Sequence, residues 1–98
     1  MKKIRILDCT LRDGGRIINC AFKNQEIKNI SEKLADAGID IIEMGFLRDG
    51  RDVEYLGDTT FFTEVHQITP FLDNKKQSVL YTAFIDYGMC NIDNLDSY

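Results

Sequence analysis

Histidine and proline each occur once in this chain, cysteine three times, and no long uncharged apolar run is present. With His66 as its sole histidine, the chain has little of the commonest metal ligand and acid/base side chain. Cys9, Cys20 and Cys90 are odd in number, widely spaced and without a CxxC pair, which excludes a disulfide framework and a thiolate zinc site. Nothing approaches the roughly 18 consecutive apolar residues of a spanning helix, and the segment after Met1 is broken by Arg5 and Asp8, so neither a membrane span nor a signal peptide is read. Positive charge is also in deficit: 12 basic residues face 16 acidic ones, a net charge of −4 that gives no general attraction to nucleic acid. A cytoplasmic chain is expected, with neither nucleic acid nor membrane as partner.

What is present is ordinary globular material. The 98 residues are 44% hydrophobic and 29% charged, enough for one compact core. Lys3 to Cys9 is rich in Ile and Leu and runs into a polar, glycine-bearing stretch, which predicts a strand followed by a loop. From Asn24 to Ala37 the apolar residues Ile27, Ile30, Leu34 and Ala37 recur at helical spacing, with Asn24 as N-cap and Gly38 as the stop. Ile39 to Phe46 then forms a nearly continuous apolar run, the pattern of a strand buried on both faces of a parallel sheet. Leu47 to Gly57 has no period and is read as a long loop. Asp58 or Thr59 would cap a second helix through Phe61, Val65, Ile68 and Leu72, ended or distorted near Thr69 by Pro70. Ser78 to Asp86 predicts a third strand, and Asn91 to Tyr98 the approach to another helix.

Strands alternating with helices imply right-handed βαβ units and a parallel sheet, in an open doubly wound fold or a (β/α)8 barrel. A complete barrel takes about 250 residues. The expectation is therefore an α/β chain supplying the first three βα units of a partial barrel, residues 1–98 forming the N-terminal part of a single domain. In such folds the ligand site lies beyond the carboxyl ends of the strands, which directs attention to Asp8–Arg16, Glu43–Arg51 and Asp86–Cys90.

In the first of these, Arg12 and Asp13 stand side by side ahead of Gly14 and Gly15, with Arg16 following. A carboxylate suits a hard divalent cation, a guanidinium offers a planar fork to a carboxylate or enolate oxygen, and paired glycines permit close backbone approach and positive φ. The alternative is a solvated turn. In the second, Glu43 is a carboxylate inside a strongly apolar strand, costly to bury unless it is paired or faces a site; the site is favoured. Leu-Arg-Asp-Gly occurs at 11–14 and again at 47–50, a coincidence of loop-favoured residues rather than an established repeat. His66 is read as a surface or interhelical residue.

LDCTLRDGG at 7–15, followed after a helix by AGIDIIEMGF at 37–46, resembles the N-terminal part of the DRE-TIM metallolyases. These (β/α)8-barrel enzymes include 3-hydroxy-3-methylglutaryl-CoA lyase, isopropylmalate synthase and pyruvate carboxyltransferase domains, and the DGG form is most similar to 4-hydroxy-2-oxovalerate aldolase-like proteins. The resemblance implies a lyase or aldolase that makes or breaks a carbon–carbon bond next to a pyruvate-derived keto acid through an enolate. It implies that Arg12 stabilises the enolate oxygen, that Asp13 ligates Mn2+ or Mg2+, and that Glu43 supports the site, with Gly14, Gly15 and Arg16 against the substrate. Two departures accompany it. Arg16 occupies the place of the histidine base of the aldolases, and the family's HxH metal pair has no counterpart here. One carboxylate leaves most of an octahedral shell to water, so the expectation is a chain inactive by itself. The competing readings are a non-catalytic carboxylate-binding module built on Arg12, Arg16, Arg48 and Arg51, and a subunit that self-associates through uncovered sheet surfaces.

Overall fold

The computed structural model describes residues 4–18, 20–48 and 58–85. Helix α1 (Asn24–Asp36) is the longest element. At its start the Glu26 carboxylate reaches back to accept the Lys23 N–H at 2.8 Å, and Asp58, from outside the helix, accepts the Asn24 N–H at 3.0 Å. Its end is a Schellman arrangement, in which Gly38 at φ 91° donates to the Ala35 carbonyl and Ile39 to the Leu34 carbonyl. The fully buried stripe is Ile27, Ser31 and Ala35, with Ile30 and Leu34 on its flank. Ala37, expected at the end of that stripe, is exposed beyond the helix.

Among the described residues four parallel strands accompany α1: β1 (Leu7–Asp8), β2 (Ile41–Leu47), β3 (Phe61–Phe62) and β4 (Leu80–Phe84). All three of the others pair with β2, at Leu7↔Ile41 for β1, Phe46↔Phe61 for β3, and Ile41↔Leu80 through Phe46↔Phe84 for β4. A strand has two edges, and the β4 register overlaps both other pairings. Hence β4 takes one edge of β2, while β1 and β3 share the other. The order β1–β2–β4 is that of three successive barrel strands, with β3 an insertion beside the end of β2.

Six of the seven β2 residues are buried, as expected of a central parallel strand. Ile42, Met44 and Leu47 face α1 and join Leu11, Phe22, Ile27, Phe62 and Ile68 in the core, whereas Glu43 and Phe46 lie on the opposite face. The alternation skips a residue because three steps on β2, Glu43 to Phe46, oppose two on β4, Thr82 to Phe84. Gly45 sits in this bulge at φ 151°, and a Cβ there would overlap the Thr60 carbonyl oxygen. That oxygen accepts the Phe46 N–H at 2.9 Å and fastens β3 to β2.

The second helix expected over 58–72 does not form. Phe61 and Phe62 are strand, and Val65–Gln67 and Thr69–Leu72 are two short 3-10 turns separated at Ile68, with Pro70 in the first turn of the second. Thr60 donates to the Cys20 carbonyl and Arg48 to the Phe62 carbonyl, both at 2.9 Å, so tertiary pairing draws this segment into the sheet. Asp58 caps α1 instead. His66 is exposed on the first turn, its Nδ1 at 2.9 Å from Glu64. Leu47, expected to open the long loop through Gly57, is instead the last residue of β2; residues 49–57 of that loop and the helix approach at 91–98 lie outside the described residues.

Candidate functional site

The loop after β1 is wound around one carbonyl. Cys9 O accepts the N–H groups of Arg12, Asp13 and Gly14 at 3.1, 2.8 and 3.2 Å, and the Asp8 carboxylate takes both the N–H and the hydroxyl of Thr10. Leu11 is fully buried in the core and anchors the turn. Arg12, next in sequence, is thereby directed across the sheet, and a 3-10 helix (Asp13–Ile18) follows. Paired glycines permit either close backbone approach or positive φ. Neither has positive φ; among the described residues of this loop the left-handed one is Cys20, at φ 58°. Gly15 is required by close approach, because a Cβ would come within 2.9 Å of both the Cys20 sulfur and the Phe22 ring, while a Cβ on Gly14 would make only ordinary contact with Thr10.

Arg12 and Glu43 meet. The guanidinium donates from Nε and Nη2 to Glu43 Oε1 at 3.1 and 3.0 Å, with side-chain exposures of 19% for Arg12 and 11% for Glu43 that leave the pair largely shielded from water. Its face lies 4.5 Å from the centroid of Phe84, at the end of β4. The loop after β1, the middle of β2 and the end of β4 thus meet at one guanidinium. Glu43 both neutralises Arg12 and fixes the plane of its fork.

Asp13 and Arg16 stand apart from this shielded pair, on the solvent side. Arg16 Nε donates to Asp13 Oδ1 at 2.7 Å, and Arg12 Nη1 is 4.0 Å from the same oxygen. The hydrogen bond from Arg16 holds the Asp13 carboxyl below the usual carboxylate range, with further help from the charges of Arg16 and Arg12. Sequence reasoning missed Phe84, which was read as an ordinary strand residue because attention fell on 86–90, beyond the described residues. It also missed the row of rings beside the pair. Phe46 stacks on Phe61 with centroids 5.2 Å apart and meets Phe84 edge-on at 5.9 Å. Arg48 lies over Phe46 and Phe61 at 4.5 and 4.6 Å. Apolar rings alternating with arginines near strand ends were the available signal. Arg51 lies outside the described residues.

The HMGL-like family model matches residues 3–84, which contain all of these elements. The chain belongs to the HMGL-like family. Its members are (β/α)8 barrels and typically depend on a divalent metal. Among curated relatives, 2-isopropylmalate synthase of Sulfolobus acidocaldarius is 31% identical over 94 residues, covering 93% of this chain and 24% of the relative. The enzyme of the same name from Saccharolobus solfataricus is 39% identical over 64 residues, or 65% of this chain and 16% of the relative. A 4-hydroxy-2-oxovalerate aldolase from Carboxydothermus hydrogenoformans is 49% identical over 43 residues, 44% of this chain and 13% of the relative. The chain therefore spans a quarter or less of each of these proteins. No solved structure matches. No helix among the described residues is long and apolar enough to cross a membrane.

The family's metal can be tested against the side chains in place. Among the described residues no group of three or more His, Cys, Asp or Glu could hold a metal ion. One Asp13 oxygen is already engaged by Arg16, and Glu43 is turned to Arg12. A cation needs several oxygen ligands, so the described residues alone do not fit one.

Proposed function

We propose that residues 1–98 carry the anion-holding part of a carbon–carbon lyase or synthase site of a (β/α)8 barrel, one that makes or breaks a bond next to a pyruvate-derived keto acid. The observation that supports this most is the shielded Arg12–Glu43 pair, which joins the loop after β1 to β2 and is seated on Phe84 at the end of β4. When such a bond forms or breaks, negative charge develops on the keto oxygen as an enolate. A guanidinium already held in orientation stabilises that charge without reorganising, and the nearby rings limit competition from water. Arg12 is assigned this role. Glu43 acts through Arg12 as a positioning residue, and Gly15 keeps the loop close enough to Cys20 and Phe22 for Arg12 to reach across the sheet. Gly14 and Arg16 border the substrate side of the same loop. Asp13 is assigned to the metal, completed by ligands other than the described residues, and the chain by itself is accordingly inactive.

A second reading, a carboxylate-binding module without catalysis, is favoured by one specific observation: Asp13 is held by Arg16, where a metal ligand would need its oxygens. Calorimetric titration of the chain with oxalate, a mimic of the pyruvate enolate, separates the two. The lyase reading expects binding that weakens about tenfold in Arg12→Gln, the scale of a charge-assisted hydrogen bond, and that tightens with Mn2+ when the same titration is run on a complete barrel carrying this segment. Binding to that barrel indifferent to Mn2+ would favour the second reading. Binding indifferent to Arg12 would overturn both, and retro-aldol turnover by the 98-residue chain would refute its inactivity.

A further inference from the structure

By sequence Thr59 stands where a helix cap is expected, and in the sheet its hydroxyl has a different task. Thr59 Oγ1 accepts the Phe61 N–H at 3.1 Å, as a capping threonine would, and donates to the Cys20 carbonyl at 3.0 Å, 39 positions back in the chain. Its proton and one lone pair are both engaged. The Thr60 N–H reaches the same carbonyl at 2.9 Å. The β3 segment, an insertion beside the order of the barrel strands, therefore grips one peptide just after the Arg12 loop.

Cys20 passes that grip on. Its N–H donates to the Gly15 carbonyl at 2.8 Å, and its thiol to the Arg12 carbonyl at 3.8 Å, a long, weak bond of the kind sulfur makes. The Gly15 N–H meets that Arg12 carbonyl as well, at 3.2 Å. At φ 58° Cys20 is left-handed, and such a residue other than glycine persists only where its surroundings hold it. Here the Arg12 loop holds it on one side and β3 on the other. Because β3 is fastened to β2 through the Phe46 N–H and the Thr60 carbonyl, the Arg12 backbone is located against the strand of Glu43 by a route separate from the ion pair. An ion pair can close in more than one geometry, and a second attachment of the loop selects one of them.

We propose that Thr59 is a positioning residue: acting through Cys20, its hydroxyl sets the loop that presents the Arg12 guanidinium. Thr59 itself touches no ligand. The effect on ligand binding rests on the reading of Arg12 as the anion holder.

Thr59→Val removes the hydroxyl at nearly constant shape, and Thr59→Ser keeps it. NMR of the purified chain reads the hold on Arg12 directly, through exchange of its Nε–H with water. That exchange is expected to be about fivefold faster in Thr59→Val, the scale of one neutral hydrogen bond, and close to the parent rate in Thr59→Ser. Oxalate affinity should fall by about the same factor in Thr59→Val, return in Thr59→Ser, and show no further fall when Thr59→Val is added to Arg12→Gln. Unchanged Arg12 exchange in Thr59→Val overturns the proposal, as does a serine variant no better than the valine one. An equal loss of oxalate affinity with and without Arg12→Gln overturns it too, since that is what a merely structural role would give. In the unmodified chain the Thr59 hydroxyl proton must exchange slowly enough to be seen, and its absence overturns the proposal even if no variant folds. Arg12 exchange that responds as expected, with oxalate binding that ignores Arg12→Gln, overturns the anion-holding reading alone and supports the linkage from Thr59 to Arg12.

Discussion

Replacing Glu43 with leucine removes the acceptor of two Arg12 donors while leaving the guanidinium in place over Phe84. Breaking a buried pair by deleting one partner costs about 3–5 kcal/mol, because the survivor is left shielded and uncompensated. Arg12 keeps 19% of its side-chain surface in water and retains the ring beneath it, which places the expected loss at the lower end, about 3 kcal/mol. Arg12→Leu combined with Glu43→Leu removes both charges, and should cost only about 1 kcal/mol, since apolar replacement of both partners is often near neutral. The two positions are then coupled by about 2 kcal/mol or more. Urea unfolding followed by circular dichroism reads these differences. For a chain of this size the slope is about 1 kcal/mol per molar urea, so Glu43→Leu shifts the midpoint by about 3 M or abolishes the transition, and the double variant recovers most of it. A Glu43→Leu variant within 1 kcal/mol of the parent, or a double variant destabilised by the sum of the single ones, would refute the shielded-pair reasoning.

Three further outcomes follow from the same geometry. Gly45→Ala should destabilise by about 2 kcal/mol or more and loosen β3, through its φ of 151° and the overlap with the Thr60 carbonyl; a melt unchanged from the parent would contradict this. Because the folded pKa of Asp13 is depressed, the stabilisation from its ion pair is present above the ordinary carboxylate value near 4 and is lost as pH falls through the lower folded value. Carboxyl NMR titration should show the Asp13 midpoint rising toward that ordinary value in Arg16→Gln, and no rise would remove the cause assigned here. The exposed Ile4, Ile6 and Leu80, at 76%, 54% and 57%, predict concentration-dependent self-association in sedimentation velocity, which a single monomer boundary across a hundredfold range would disprove.

Elements governed by their own periodicity were legible in the sequence. The stop of α1 at Gly38 and the double-sided burial of β2 follow from local pattern, whereas the Arg12–Glu43 pair joins a loop to the middle of β2, a meeting that neither segment's pattern displays. The segment from Thr60 to Leu72 was not legible, because helical spacing of Phe61, Val65, Ile68 and Leu72 competed with backbone pairing that the sequence does not display. Two hydrogen bonds, from Thr60 to Cys20 and from Arg48 to Phe62, decide it for strand. Gly14 and Gly15 permit positive φ, but it is found at Cys20 and in the Gly45 bulge, since a bulge depends on the partner strand's count as well as its own. Phe84 was hidden for a related reason. A phenylalanine in a strand reads as packing until the guanidinium that covers it, 72 positions away, is placed.

The sharing of β2 by three strands has a kinetic consequence. Among the described residues β1, β3 and β4 form no ladder with one another, so none can acquire sheet hydrogen bonds before residues 41–47 are extended. The β2–β4 register joins positions 39 apart in the chain at Ile41 and Leu80, a loop closure that precedes any return in hydrogen bonds. Amide exchange in this protein should therefore rank by attachment to one strand, with β2 slowest and the two-residue strands β1 and β3 opening independently of each other. The arginine of the site is carried just beyond one of those short strands, while its carboxylate partner sits on the slowest, so the pair spans the extremes of local stability in the sheet.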